Sequence, residues 1–180
     1  MNKTLMTFIV ILLTSISTIG QIENRIIIPD FKDKYSDYVR QLEAGETDID
    51  YQDFRFSLIE SEQFKIVSEN VSKLDSLKKE MYSKMKTKSY SEIIDITKQM
   101  LSIDYTSMWA QKILRQTYKI IGDTTNSIKY KTIQFGLLYS IVKKGDGKTC
   151  ATAWPVIQLS EEYFILEMLD AELQNQSIDA

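Results

Sequence analysis

The stretch SYSEIIDITKQMLSIDYTSMWAQKILRQTYKIIGDTTNSIKYKTIQFGLLYSIV, residues 89–142, decides the fold. Ser89-Tyr90-Ser91-Glu92 has the spacing of a capping box, in which the serine hydroxyl accepts from the Glu92 amide and the glutamate reaches back to the Ser89 amide. A helix is predicted to begin there and run to about Ile103, with Ile93, Ile94, Thr97, Met100 and Leu101 inward, before a turn at Asp104-Tyr105. Ala110, Ile113, Leu114, Thr117 and Ile121 mark a second helix over 107–121, closed by Gly122-Asp123, where glycine can take the left-handed cap. Ile128, Ile133, Phe135, Leu137, Leu138 and Ile141 mark a third over 125–142. Each helix has an apolar stripe to hide and the turns are short, so the three are expected to pack as antiparallel neighbours.

This arrangement resembles tetratricopeptide-type helical hairpins, with Ala110, Leu114, Tyr118 and Gly122 at the spacing of a first repeat helix, although no second copy recurs at 34 residues. Towards the N-terminus, Val71, Leu74, Leu77, Met81 and Met85 predict an amphipathic helix over 69–86, with lysines on its other side. The segment 51–59, dense in Tyr51, Phe54, Phe56, Leu58 and Ile59, reads as mostly buried. A short helix over 34–43 turns Tyr35, Tyr38, Val39 and Leu42 to one side and stops at Ala44-Gly45. Before it, 25–31 reads as an extended apolar leader held out of the helical region by Pro29.

The texture changes after Lys143. Gly145-Asp146-Gly147 is a turn cluster, and 149–159 is rich in small, β-branched and aromatic residues, with Pro155 suited to a sheet edge. With Ser160-Glu161-Glu162 as a turn and 163–169 returning, a β-hairpin over 149–169 is expected. A final helix over 163–173 is the alternative. The fold class is therefore mainly α (α+β): antiparallel helical hairpins over 34–143 closed by a C-terminal hairpin, in one domain over 21–180.

The first twenty residues read as an export signal. Lys3 supplies the positive start, 5–16 an apolar core, and Thr18-Ile19-Gly20 a small-residue cleavage site before Gln21. The chain is thus expected outside the cytoplasm, in the periplasm, at the cell surface or secreted, touching a membrane only through this segment if it stays uncleaved. A formal net charge of −3 and a pI of about 5.1 argue against nucleic acid as a partner. The single cysteine, Cys150, cannot form an internal disulfide and is expected as a small buried hydrophobe.

Catalytic signatures are sparse. With no histidine and one cysteine, the usual general base and the usual zinc ligand sets are missing. No metal and no cofactor is expected, and no catalytic residue can be assigned. Gly145-Asp146-Gly147-Lys148-Thr149 ends like a phosphate loop, but Val142 stands where that motif needs glycine, and the flanking elements come in the wrong order. It reads as a turn in which Gly145 and Gly147 supply positive φ, and no nucleotide is expected. Asp48, Asp50 and Asp53 lack the spacing of a calcium loop and read as helix caps and solvated acids. Glu161 and Glu162, adjacent on a strand, would point to opposite faces and could not by themselves form an acid–base pair. Tyr118 and Tyr130 suit a helix interface, while Trp109 and Trp154 are the first suspects for exposed aromatics. Arg115 and Lys119, one turn apart opposite an apolar stripe, are the side of 107–121 most suited to a contact.

Pro29-Asp30-Phe31, Asp50-Tyr51-Gln52-Asp53-Phe54-Arg55, Leu114-Arg115-Gln116-Thr117-Tyr118, Lys131-Thr132-Ile133-Gln134-Phe135-Gly136 and Gly145-Asp146-Gly147-Lys148-Thr149, followed by Thr152-Ala153-Trp154-Pro155-Val156-Ile157 and Glu161-Glu162-Tyr163, together resemble an exported bacterial family, domain of unknown function 4919. The resemblance spans nearly all of 21–180 and implies export without implying an activity. It also implies continuation into further strands beyond Gln176-Ser177, which would leave an open hairpin edge here. The function expected is an exported helical domain that binds a protein or cell-envelope partner. The alternative is a carboxylate-dependent hydrolase of envelope polysaccharide, which would need two converging acids in an aromatic cleft.

Overall fold

The computed structural model describes residues 25–171; the expected export signal over 1–20 lies outside them. Eight helices follow in order: α1 (Lys34–Glu43), α2 (Tyr51–Ile59), α3 (Glu62–Glu69), α4 (Val71–Lys86), α5 (Tyr90–Ile103), α6 (Met108–Ile120), α7 (Thr124–Val142) and α8 (Leu159–Met168), with a 3-10 turn at Cys150–Thr152. Consecutive helices from α4 to α7 pack each on the next; α2 lies against α1 and α7, and α8 against α6.

The caps explain the starts. Asp33, Asp50, Ser107 and Asp123 each accept a hydrogen bond from a first-turn amide of the following helix, satisfying donors that have no partner inside it. Ser89 departs from expectation. The helix begins there, but the Ser89 hydroxyl meets Thr87 at 2.8 Å, and Glu92 pairs instead with Lys84 on α4. That ion pair across the α4–α5 turn competes with the capping box for the same carboxylate.

The central stripes are as read. Ile93, Thr97 and Leu101 of α5, Ala110, Leu114 and Thr117 of α6, and Ile133, Leu137 and Ile141 of α7 are all buried in one core. Ile121 and Ile128, expected inward, are exposed. In α2, Phe54 and Leu58 are buried but Phe56 and Ile59 are exposed, and the inner side between them is taken by Arg55, which is 0% exposed. Helix α3, unanticipated in the sequence reading, buries Val67 and Gln63, whose side-chain amide donates to the Ile103 carbonyl at 2.7 Å. Gly136 lets α2 approach α7, since a Cβ there would lie 2.3 Å from the Tyr51 ring.

The C-terminal hairpin over 149–169 is not formed. Cys150–Thr152 is a 3-10 turn, an extended segment follows, and Leu159–Met168 is a helix. Glu161 and Glu162 occupy its first turn, where acids are stabilised by the helix dipole, so the residues read as a turn are a helix start. Glu161, Phe164 and Ile165 form its buried side at helical spacing. The uneven alternation of 163–169 is therefore the mark of a helix burying one acid. With no strands among the described residues, the expected open edge has no counterpart there.

Candidate functional site

The position of α8 rests on one buried ion pair. Arg55 Nε and Nη2 donate to Glu161 Oε1 and Oε2 at 2.7 and 2.6 Å, a fork that fits the carboxylate on both oxygens. Nη2 also donates to the Pro155 carbonyl at 2.8 Å, Nη1 to Ser140 Oγ at 3.3 Å, and the Ile157 amide to Glu161 Oε2 at 2.7 Å. Both side chains are almost fully buried, so each charge requires the other. Helices α2, α7 and α8 and the segment before α8 thus meet at one guanidinium.

Clamped in this way, α8 stands across from α4 and leaves an open groove of about 510 Å³ between them. Val71 and Leu74 of α4 form one wall, Leu159, Tyr163 and Phe164 of α8 the other, and Met100 and Trp109 the base. The lining is mostly apolar, and Val71 and Leu159 are 57% and 54% exposed. Lys78 and Asp75 on α4 and Glu167 on α8 bring charge to the groove. Trp109 is held edge-on by Tyr82 at 5.8 Å between ring centroids, with Lys78 Nζ 4.9 Å from its ring centre.

One acid reaches the groove from beneath. Asp104 Oδ1 accepts from the Thr106 amide at 2.9 Å and the Thr106 hydroxyl at 2.6 Å, and Oδ2 accepts from Gln158 Nε2 at 3.4 Å. Burial raises its pKa above the usual carboxylate range, the Thr106 bonds opposing the shift. Glu161, the buried acid whose charge adds to this shift, is taken up by Arg55.

A second polar cluster joins α1 to α7. Glu43 Oε1 accepts from Tyr105 Oη at 2.6 Å and from Lys129 Nζ at 2.9 Å, beside the stacked Tyr118 and Tyr130 rings, 5.7 Å between centroids. Tyr118 and Tyr130 are thus the interface residues expected. Burial pushes the Tyr118 phenol up to about 12 and that of Tyr130 higher still.

The remaining residues singled out in the sequence are scattered. Asp50 caps α2 and Asp53 accepts from Lys34 and Tyr38 at 2.6 and 2.5 Å, which accounts for them as cap and ion-pair partner. The 145–149 loop satisfies itself: Trp154 Nε1 donates to the Gly145 carbonyl at 2.9 Å, and Asp146 Oδ1 accepts from the Lys148 amide and from Thr152 Oγ1 at 3.1 and 2.6 Å. The Gly147 and Thr149 amides are engaged as well, donating to the Thr152 carbonyl at 2.9 Å and to Thr152 Oγ1 at 3.2 Å. Gly147 has the expected positive φ of 70°, but Gly145 does not; it is there because a Cβ would meet the Thr152 carbonyl oxygen at 2.1 Å. Cys150, expected buried, is exposed. Trp154 packs on this loop away from the groove, and both tryptophans are half-buried against the core. Arg115 and Lys119 line a separate cavity between α6 and α7.

Sequence reasoning missed the groove because its walls come from segments more than 70 residues apart, α4 and α8. Leu159 and Tyr163, four apart, were its available signal. The family model described as "Domain of unknown function (DUF4919)" matches residues 30–180. No curated protein matches, and no solved structure does.

Proposed function

We propose that this chain, which belongs to the family described as domain of unknown function DUF4919, is a binding domain that holds an apolar segment of a protein partner between α4 and α8. The observation that carries this reading is the groove itself: large apolar side chains stay in water along both walls, while the helices behind them are fully packed. Lys78 and Asp75 supply charges of both signs with which to fix a ligand's direction, while Glu167 is paired with Lys112 at 2.7 Å. The leading segment over 1–20 supports the further reading that binding takes place in the cell envelope or outside the cell, with an envelope protein as the partner.

The test compares capture from envelope extract by the wild type, by Val71→Lys/Leu159→Lys, and by Lys144→Glu as a control at an exposed position away from the groove. Both groove positions are largely exposed, so folding is preserved. A protein retained by the wild type and the control but lost by the double variant supports the reading. Identical retention by all three overturns it. N-terminal sequencing of the protein from its host tests export, with a first residue near Gln21 expected.

The raised carboxyl of Asp104 favours a second reading, hydrolysis of an envelope polysaccharide with Asp104 as the protonated acid. It stands behind the first because both Asp104 oxygens are engaged and Glu161 is committed to Arg55. Release of reducing ends from purified envelope glycan, abolished by Asp104→Asn, would establish it.

A further inference from the structure

The outer side of α7 carries a second apolar stripe. Ile128, Phe135 and Tyr139 lie seven and four residues apart, on one face of the helix, opposite the buried Ile133, Leu137 and Ile141. All three are exposed, Ile128 at 58% and Tyr139 at 65%. A helix that is apolar on both sides ordinarily lies inside a protein or against a membrane. No described element covers this side.

Cations border the stripe. Arg115 and Lys119 of α6 and Lys131 of α7 line a cavity of about 490 Å³ with Ile128 in its wall. Among the described residues none of the three forms an ion pair. The acid at this end of α7, Asp123, is engaged by the backbone and side-chain amides of Asn126 at 3.0 and 2.7 Å. Arg115 lies 5.6 Å from the centre of the Phe135 ring, which fixes its charge beside the apolar side chains.

Charge decides the occupant. In a chain of net charge −3, three unpaired cations beside one apolar ridge select a negative surface. A second copy docked through the same face would set Lys131 and Arg115 against like charges. The feature is a ridge with cations at its flank, the pattern of a helix lying in a lipid interface, where apolar side chains enter the acyl boundary and lysine stems reach up to phosphates. No described helix is long and apolar enough to cross a membrane.

We propose that the outer face of α7, with Arg115, Lys119 and Lys131, is a peripheral docking surface for an anionic phospholipid bilayer, a lipid phosphate seated between α6 and α7 while Ile128, Phe135 and Tyr139 lie in the acyl boundary. The surface is separate from the groove between α4 and α8 and does not depend on its reading. It adds a membrane contact beyond the leading segment.

The test is co-sedimentation of the full chain with phosphatidylcholine vesicles, with and without roughly a third of phosphatidylglycerol, at low and high salt. Partition should rise on adding the anionic lipid, fall with salt, and drop at least about tenfold in Lys119→Glu/Lys131→Glu, since each surface cation contributes about fivefold. Ile128→Ser/Tyr139→Ser should weaken it with the thermal midpoint unchanged. The apolar stretch over 5–16 would favour either vesicle, so the readout is the difference between lipids and between variants. No gain on adding anionic lipid, or a partition that charge reversal leaves unaltered, overturns the proposal. Saturable binding of an acidic protein by this face without vesicle binding overturns it too.

Discussion

Arg55 and Glu161, 106 residues apart in sequence, meet through two parallel hydrogen bonds of 2.7 and 2.6 Å inside the protein. The pair fixes where α8 lies, and with it one wall of the groove. Truncating one member leaves the other as a lone buried charge.

Arg55→Met or Glu161→Leu alone should therefore cost about 3–5 kcal/mol of stability, while the double variant, with apolar groups filling both places, should recover most of it. Thermal and urea unfolding of the three variants measures this. Equal losses in the single and double variants would mean that packing volume, rather than charge, holds α8.

Gly145→Ala should destabilise by about 1–3 kcal/mol, because its Cβ meets backbone that has no side-chain freedom to move away. The loop must open, breaking the bond from Trp154 Nε1 to the Gly145 carbonyl. Tryptophan fluorescence in a Trp109→Phe background should shift accordingly, and an unshifted spectrum with an unchanged midpoint would refute the account.

Alkaline pH should unfold the protein. Burial raises the phenols of Tyr38, Tyr51 and Tyr118 to about 12, with neighbouring aspartates adding to the shift. The folded chain keeps these protons longer than the unfolded chain, so stability intact below about pH 10 is lost as pH climbs towards 12. Tyrosinate absorbance should rise in step with loss of helical circular dichroism. Full ionisation at pH 10.5 with the helices intact would contradict this.

Cys150, exposed in the 3-10 turn, should react with an aromatic disulfide reagent in native buffer to one equivalent per chain. Reaction only in denaturant would place the thiol inside the protein.

The helical body was legible because α5, α6 and α7 each carry residues such as Leu101, Leu114 and Leu137 at repeating intervals, and Gly122, at φ 82°, ends α6 as read. Legibility failed where an interaction between distant segments set the outcome. Arg55 stands among aromatics in a short helix, and nothing local shows that it, not Phe56, turns inward. Its partner made the C-terminal segment hard to read as well, since a glutamate on the buried side of α8 breaks the apolar stripe by which a helix is recognised. The apolar residues of α7 form two faces and not one: Ile133, Leu137 and Ile141 inward, Ile128 and Phe135 outward. Helix α3 is too short, at 8 residues, for periodicity to declare itself.

A polypeptide is synthesised from its amino end, so the guanidinium destined for the interior emerges from the ribosome long before the carboxylate that neutralises it. Until α8 has been made, the sheath around position 55 must remain hydrated and ajar. Any truncation upstream of residue 161, by premature termination or nicking, leaves the earlier helices unable to close around that cation, and such fragments should be the ones that quality-control proteases remove first.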